Sequence, residues 1–307
     1  MVATNLSVDQ SMISVIITAW NEERTVGRAV RALIDSAKEL QEETEFILVC
    51  PDTETKEAAS AVFSREPFTK VIYIKDPQRG KPHALNLAFK KATGTILVST
   101  DGDVEVHKNS LLSLLLPFAD NAVGGVTGRP VCSNDRNSRW GYWGHLFIDA
   151  AHHKRLQTLA NGMFYPMSGY LLAVRNIGWT IPDGILDDVY FSYRIHEKGY
   201  SIAYAPEATV AVRQPTSTRD WMKQKVRSIV GYQNLSVYFP CPPKTRTFFS
   251  DLRFFLYPLI FAQNAKEYIW SVQAYPFRIY LWILVWWTTV VRGKRATDVW
   301  YRIRSTK

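Results

Sequence analysis

Residues Thr95 to Val106, Thr-Ile-Leu-Val-Ser-Thr-Asp-Gly-Asp-Val-Glu-Val, decide how the rest of the chain is read. The apolar run Ile96-Leu97-Val98 ends in two carboxylates one residue apart, Asp101 and Asp103. A short β-rich run lying between helical patterns predicts a buried parallel strand. Ligands of open α/β sheets bind outside the carboxyl ends of such strands. Acids at that edge can hold a hard divalent cation, and the cation can hold a diphosphate. Asp-Gly is also a common turn dipeptide, so a solvated turn is the plain alternative. The neighbouring strands weigh between the two readings.

Toward the N-terminus, Ile13 to Ala19 predicts a first strand that stops at Trp20-Asn21-Glu22-Glu23. Val26, Val30, Leu33 and Ile34 share one face of the amphipathic helix expected next. Asn21 can cap that helix or recognise a ligand at the strand's end. Phe46 to Val49 predicts a second strand, ending at Pro51-Asp52-Thr53, before a short helix over Ala58 to Phe63. Val71 to Ile74 predicts a third strand, followed by Arg79-Gly80-Lys81 and a helix through Lys91. Strands alternating with helices make βαβ units and a mainly parallel sheet. Each strand end carries polar groups able to meet at one edge: Asn21 and Glu22, Asp52, Lys81 downstream, and Asp101 with Asp103. Their convergence favours a nucleotide site over a chance turn.

The second half reads less sharply. Leu111 to Phe118 predicts a helix and Ala122 to Thr127 a strand. Arg139 to Leu159, aromatic and basic, reads as an acceptor-side helix or loop. His152-His153 within it is a poor metal pair, because adjacent helical residues do not face each other. Phe164 to Val174 has a strand-like pattern that contains Gly169. Gly184 to Asp188 opens a helix that runs through His196 and ends at Gly199. Asp187 and Asp188 in its first turn either serve a site or simply favour the helix dipole.

Composition sets the outer limits. At 307 residues, 47% hydrophobic and 21% charged, the chain is globular and suits one large α/β domain or a domain with an appendage. Met1 to Met12 has no basic and apolar signal pattern, so no secretory leader is expected. Cys50, Cys132 and Cys241 form no Cys-x-x-Cys pair and read as free thiols of a reducing compartment.

The order of these features resembles the family 2 glycosyltransferases, which bind nucleotide sugars with the Rossmann-like GT-A fold. The resemblance covers roughly residues 11 to 235. It lies in Thr18-Ala19-Trp20-Asn21-Glu22, Gly80-Lys81 with Ala84-Leu85-Asn86, Asp101-Gly102-Asp103, Ser168-Gly169, Leu186-Asp187-Asp188 and Gln224-Lys225-Val226-Arg227. It implies that Ala19, Asn21, Glu22 and Asp52 line the base and ribose pocket, with Lys81 near the base or phosphates. Asp101 would contact the nucleotide directly or through a metal, and Asp103 would ligate that metal, Mn²⁺ or Mg²⁺. Ser168 and Gly169 would flank the sugar and acceptor. Asp188 would be the general base with Asp187 beside it, and Gln224 and Arg227 would close over the diphosphate of a UDP- or GDP-linked donor. The catalytic domain would span residues 1–240, with a nucleotide-sugar half over about 11–106 and an acceptor half over 107–240.

Those residue types suit the chemistry. A cation with Arg227 and Lys225 can neutralise a departing diphosphate, and a carboxylate such as Asp188 can take the proton of an attacking hydroxyl. Inversion at the anomeric centre is an implication of the family. The second strand ends in Cys50-Pro51-Asp52-Thr53, where many relatives carry adjacent acids. The closing motif here has Ser228 where processive polysaccharide synthases often have Trp, which points to transfer of one or few sugars. A nucleotidyltransferase of sugar phosphates and a non-catalytic nucleotide-sugar-binding protein are the alternatives.

The net charge of +9 is concentrated in the tail, where residues 244–307 hold eleven Lys and Arg against three acids. A basic stretch rich in Trp, Tyr and Phe suits an anionic membrane surface rather than nucleic acid. Phe254 to Ala262 is apolar around Pro258, and Ile279 to Val291 is an apolar run between Arg278 and Arg292. The latter is shorter than the ~20 residues of a simple span. In-plane or re-entrant helices, a short span, and a helical subdomain packed on the enzyme all stay open for residues 241–307. The expected setting is the cytoplasmic face of a membrane, peripheral or monotopic, with a lipid-linked or membrane-proximal glycan as acceptor.

Overall fold

The computed structural model describes residues 12–66, 69–233, 235–240, 243, 255–293 and 306. The strands predicted from apolar runs are present as β1 (Ile13–Thr18), β2 (Thr44–Cys50), β3 (Lys70–Lys75) and β4 (Ile96–Asp101). β1 is buried along its whole length and β2 nearly so, which is why both read as unbroken apolar runs rather than alternating ones. Helices α1 (Val26–Ala37), α2 (Thr53–Phe63) and α3 (Lys81–Phe89) supply the crossovers, and β3-β2-β1-β4 pair in parallel.

The second half turns the sheet into a mixed one. A two-residue strand β5 (Glu105–Val106) follows the acidic turn, and α4 (Ser110–Leu115) continues into a 3₁₀ turn, Leu116–Ala119. Then come β6 (Val123–Cys132), α5 (Arg139–Ala160), β7 (Leu171–Arg175), α6 (Asp187–Glu197), β8 (Ser201–Val212) and α7 (Thr218–Gln233). The strand order is β3-β2-β1-β4-β7-β6-β8-β5. β7 runs antiparallel to β4 and β6, and β5 antiparallel to β8, while β6 and β8 are parallel.

Alternate side chains of β1 build the two cores. Val15 and Ile17 pack with Val30, Leu33 and Leu48 on one face, and Ile16 with Leu85, Leu97, Val189 and Phe191 on the other. Each such buried aliphatic side chain contributes roughly 1.5–3 kcal/mol over its exposed state.

Some expectations change. Asn21 does not cap α1: it adopts φ 50°, and the helix starts at Val26 with the Glu22 carbonyl accepting its first amides. The strand pattern of Phe164 to Val174 gives a strand only from Leu171. Before that, the Met167 and Ser168 amides donate to the side chains Ser192 Oγ and Thr127 Oγ1, both side-chain rather than ladder acceptors. The Arg139–Ala160 segment is a helix.

The tail forms α8 (Tyr257–Phe261), α9 (Ala265–Trp286) and a π-helical turn, Trp287–Val291. Asn264 caps α9 by accepting from the Glu267 amide at 3.0 Å, and Glu267 clasps Arg136 with contacts of 2.9 and 3.0 Å. One side of α9 packs on α5 and α7: Ala274 and Phe277 join Tyr142, Trp143 and Trp221, and Leu281 and Val285 join Val226 and Val230. The opposite side leaves Ile269, Val272, Ile279 and Ile283 exposed. Among the described residues no helix is long and apolar enough to cross a membrane. Cys50 and Cys132 are free; Cys241, Phe254 and most tail bases (Lys244, Arg246, Arg253, Lys294, Arg295, Arg302, Arg304 and Lys307) lie outside the described residues.

Candidate active site

The carboxyl ends of β1 and β2 are laced together by side chains. Asp52 caps α2 by accepting from the Thr55 amide at 2.9 Å, and its other oxygen accepts from the Asn21 amide at 2.9 Å. Burial pushes the Asp52 carboxyl up, but these hydrogen bonds outweigh it and hold its pKa below the ordinary value. The Glu22 amide donates to Thr55 Oγ1 at 2.8 Å, and Ala19 N to the Val49 carbonyl at 3.0 Å. Ala19 and Glu22 are buried. Asn tolerates the left-handed backbone that Asn21 needs at the bend.

The acidic turn packs directly on that loop. Gly102 N donates to the Thr18 carbonyl at 3.0 Å, and Thr18 Oγ1 donates to Asp101 Oδ1 at 3.2 Å. A β-carbon at Gly102 would lie 2.6 Å from Glu22 Oε2 and 2.7 Å from Ala19 Cβ. The glycine between the two acids is therefore a packing requirement and not only a turn former.

Lys81, in the first turn of α3, connects the turn to the second half of the chain. Its ammonium lies 2.8 Å from Asp101 Oδ1 and 3.0 Å from Asp187 Oδ2. Burial would lower the Lys81 pKa, but the charges of Asp101 and Asp187 overcome it and hold it well above the ordinary lysine value. Asp187 and Asp188 occupy the first turn of α6, where the helix dipole favours negative charge. Asp187 is buried, whereas Asp188 is half-buried. Asp188 Oδ2 accepts from the Gly169 amide at 3.1 Å, and Oδ1 from its helix neighbour Val189 at 2.9 Å.

α7 closes the arrangement. A β-carbon at Gly231 would stand 2.4 Å from a Leu186 methyl, so α7 rests on the residue before the acid pair. Gln224 Oε1 is buried, with no hydrogen-bond partner among the described residues. Burial pushes the Tyr170 phenol up, the Gln214 hydrogen bond opposes it, and the charges of Asp103, Arg227 and Asp101 act on it more weakly. Lys225 instead lies over the Trp221 ring at 4.9 Å. A cavity of about 430 Å³ opens beside Asp103, walled in part by Thr25, Arg28, Asn134, Asp135 and Arg213.

The sequence-derived residues thus fall into three joined groups: Asn21 and Glu22 with Asp52; Asp101, Lys81 and Asp187; and Asp188 with Gly169, beside Ser168. His152 and His153 stand apart, His152 on Tyr204 at 2.6 Å and His153 toward Asp149 at 3.5 Å. Burial, then the charges of Arg129 and His153, push the His152 pKa down to about 4. Tyr170 and Gln214 were not found by the sequence reading. Tyr170's position directly after Ser168-Gly169 was the available signal; Gln214 carried none.

Residues 10–231 match the family model described as "Glycosyltransferase like family 2". The poly-beta-1,6-N-acetyl-D-glucosamine synthase of Staphylococcus aureus (strain COL) is 27% identical over 272 residues, covering 84% of this chain and 63% of its own length. The protein of the same name from Staphylococcus epidermidis is 26% identical over 267 residues, covering 83% and 61%. The chain spans less than two thirds of the length of these relatives. Among solved structures, a mannosyltransferase from Pyrobaculum calidifontis, in complex with GDP-Man and Mn²⁺, matches with a TM-score of 0.65 at 17% identity. That match covers 94% of this chain and 89% of the other, and the likeness is one of fold.

Proposed function

The chain belongs to the glycosyltransferase like family 2 and has the GT-A fold, and from that premise we propose a metal-dependent, inverting sugar transfer from a UDP- or GDP-linked donor. The observation that carries the reading is Lys81, which ties Asp101 at the end of β4 to Asp187 in the first turn of α6. Through it, the group that would face the donor's diphosphate and the helix that bears the base Asp188 form one connected unit.

Ala19, Asn21, Glu22 and Asp52 would line the base and ribose. Lys81, engaged by two acids, would act on the phosphates through Asp101. Among the described residues no group of three or more His, Cys, Asp or Glu is arranged to hold a metal. Asp101 and Asp103 would hold the Mn²⁺ or Mg²⁺ ion, a hard cation that takes carboxylate oxygens. When bound, such an ion neutralises charge on the departing diphosphate. Arg227 would add to that neutralisation, with Gln224 beside it. Asp188, half-buried and aimed by the Gly169 amide, would accept the proton of the acceptor hydroxyl, flanked by Ser168. Attack opposite the leaving group would invert the anomeric centre.

The apolar outer side of α9 and the basic tail support a membrane surface, at its cytoplasmic face, as the setting. The acceptor would be a lipid-linked or membrane-proximal glycan, extended by one or few sugars, and nucleic acid is not a partner. Asp188→Asn tests the assignment. It should keep metal-dependent binding of the nucleoside diphosphate and lose transfer; undiminished transfer would remove Asp188 as the base.

A further inference from the structure

Tyr170 stands where the two halves of the site meet, and none of the roles above uses it. β7 runs antiparallel to β4 with Leu171 opposite Thr100, so the next pair outward sets Tyr170 against Asp101. Thr100 Oγ1 fixes that backbone by donating to the Tyr170 carbonyl at 2.8 Å. The ring packs against the buried cluster that includes Val98 and Leu171. Gln214, 2% exposed, donates its Nε2 to the phenol oxygen at 3.4 Å. Gln214 is itself held on both sides of its backbone by Asn134, at 2.7 and 3.0 Å.

A phenol is both acceptor and donor. Gln214 uses the oxygen as acceptor, and among the described residues no acceptor is at hydrogen-bond distance from the O–H. Asp101 faces Tyr170 across the β4–β7 pair, and Asp103 lines the same cavity as Asn134, the residue that holds Gln214; both acids are assigned above to the cation. A neutral donor has an advantage here. It adds no further cation beside Lys81 to compete with the metal ion for the charges of Asp101 and Asp103.

We propose that the Tyr170 hydroxyl donates a hydrogen bond to the donor's diphosphate beside the Asp101 and Asp103 carboxylates, and that Gln214 is the positioning residue that orients the phenol. The assignment rests on reading the site as that of a sugar-nucleotide transferase. As charge grows on the departing diphosphate, a fixed donor aimed at it gains strength, so its loss costs turnover as well as binding.

The test is Tyr170→Phe in the full chain, which keeps the ring and removes the O–H. Binding of UDP, GDP, CDP and ADP with Mn²⁺ would be measured by calorimetry, beside the corresponding monophosphates, together with kcat and KM. The variant should lose roughly tenfold in affinity for the diphosphate that wild type prefers and about 10²-fold in kcat. Its affinity for the matching monophosphate should stay within about twofold. Gln214→Leu should show a smaller loss of the same kind. A folded Tyr170→Phe variant with wild-type diphosphate affinity overturns the assignment, as does an equal loss for mono- and diphosphate. Wild type that binds none of the diphosphates overturns the transferase reading itself.

Discussion

Lys81 and Asp187 form an ion pair at 3.0 Å between side chains only 17% and 6% exposed. Removing the ammonium leaves Asp187 buried without its cation, beside Asp101, whose carboxylate loses the same partner. Breaking a buried pair of this kind costs about 3 kcal/mol, because the remaining charge is neither solvated nor paired. Lys81→Ala should therefore lower the unfolding free energy measured in urea by that amount, with a correspondingly lower midpoint. Lys56→Ala, at an exposed lysine above the Tyr73 ring, should stay within about 0.5 kcal/mol of wild type. Equal midpoints for the two variants would remove Lys81 from the scaffold of the site.

Gly102 makes a second, geometric prediction. A methyl group there would push into Ala19 and the Glu22 carboxylate, at 2.7 and 2.6 Å. The surrounding strands do not depend on that contact, so Gly102→Ala should remain folded by circular dichroism. The acidic turn would shift away from the β1–α1 loop, and nucleoside diphosphate affinity should fall by roughly tenfold or more. Undiminished affinity would mean that the loop and the turn do not bind the ligand together.

Legibility in the sequence followed the physics of burial. β1, β2 and β4 were visible because strands buried on both faces must be continuously apolar. β8 was not, because its first four residues are all at least partly exposed and Pro206 and Glu207 interrupt the run. Polar residues at strand ends were visible as candidates, but their partners were not. The Lys81–Asp187 pair and the setting of Tyr170 against Asp101 depend on the antiparallel register of β7, which local patterns do not specify. The tail was legible as apolar and basic, yet α9 is apolar on both sides. Only the complementary aromatic surface of Trp143 and Trp221 decides which side packs inward.

Glu45 predicts the acid limb of stability. Its side chain is fully buried at the start of β2, accepting from Ser14 Oγ at 2.7 Å and Thr93 N at 2.7 Å, with Lys70 at 2.7 Å from its other oxygen. Burial pushes its pKa up, but the Lys70, Thr93 and Ser14 contacts outweigh that and hold it at about 2, against an ordinary 4.5. A carboxyl depressed on folding contributes stability that is complete above its unfolded pKa and is lost as pH falls through the folded one. Wild type should thus lose about 3 kcal/mol between pH 4.5 and 2 from this group. In Glu45→Gln that part of the slope should vanish, with lower stability at neutral pH. Parallel pH profiles from urea titrations of the two proteins would contradict the assignment.

The outer side of α9 yields the last prediction. Removing the whole tail would strip cover from Tyr142, Trp143 and Trp221, so a truncation would confound folding with binding. Point changes avoid this. Ile279 and Ile283 are 56% and 57% exposed, four residues apart on the face opposite Leu281 and Val285. Burying one such side chain in an acyl boundary is worth roughly 2 kcal/mol, or more than tenfold in partitioning. Ile279→Glu with Ile283→Glu should therefore reduce cosedimentation with phosphatidylglycerol vesicles by at least about 10²-fold, while thermal stability and diphosphate binding stay unchanged. High salt should weaken wild-type binding as well, since Arg278 and Arg292 bracket the apolar run. If the double variant sediments as wild type does, this face of α9 does not meet the membrane.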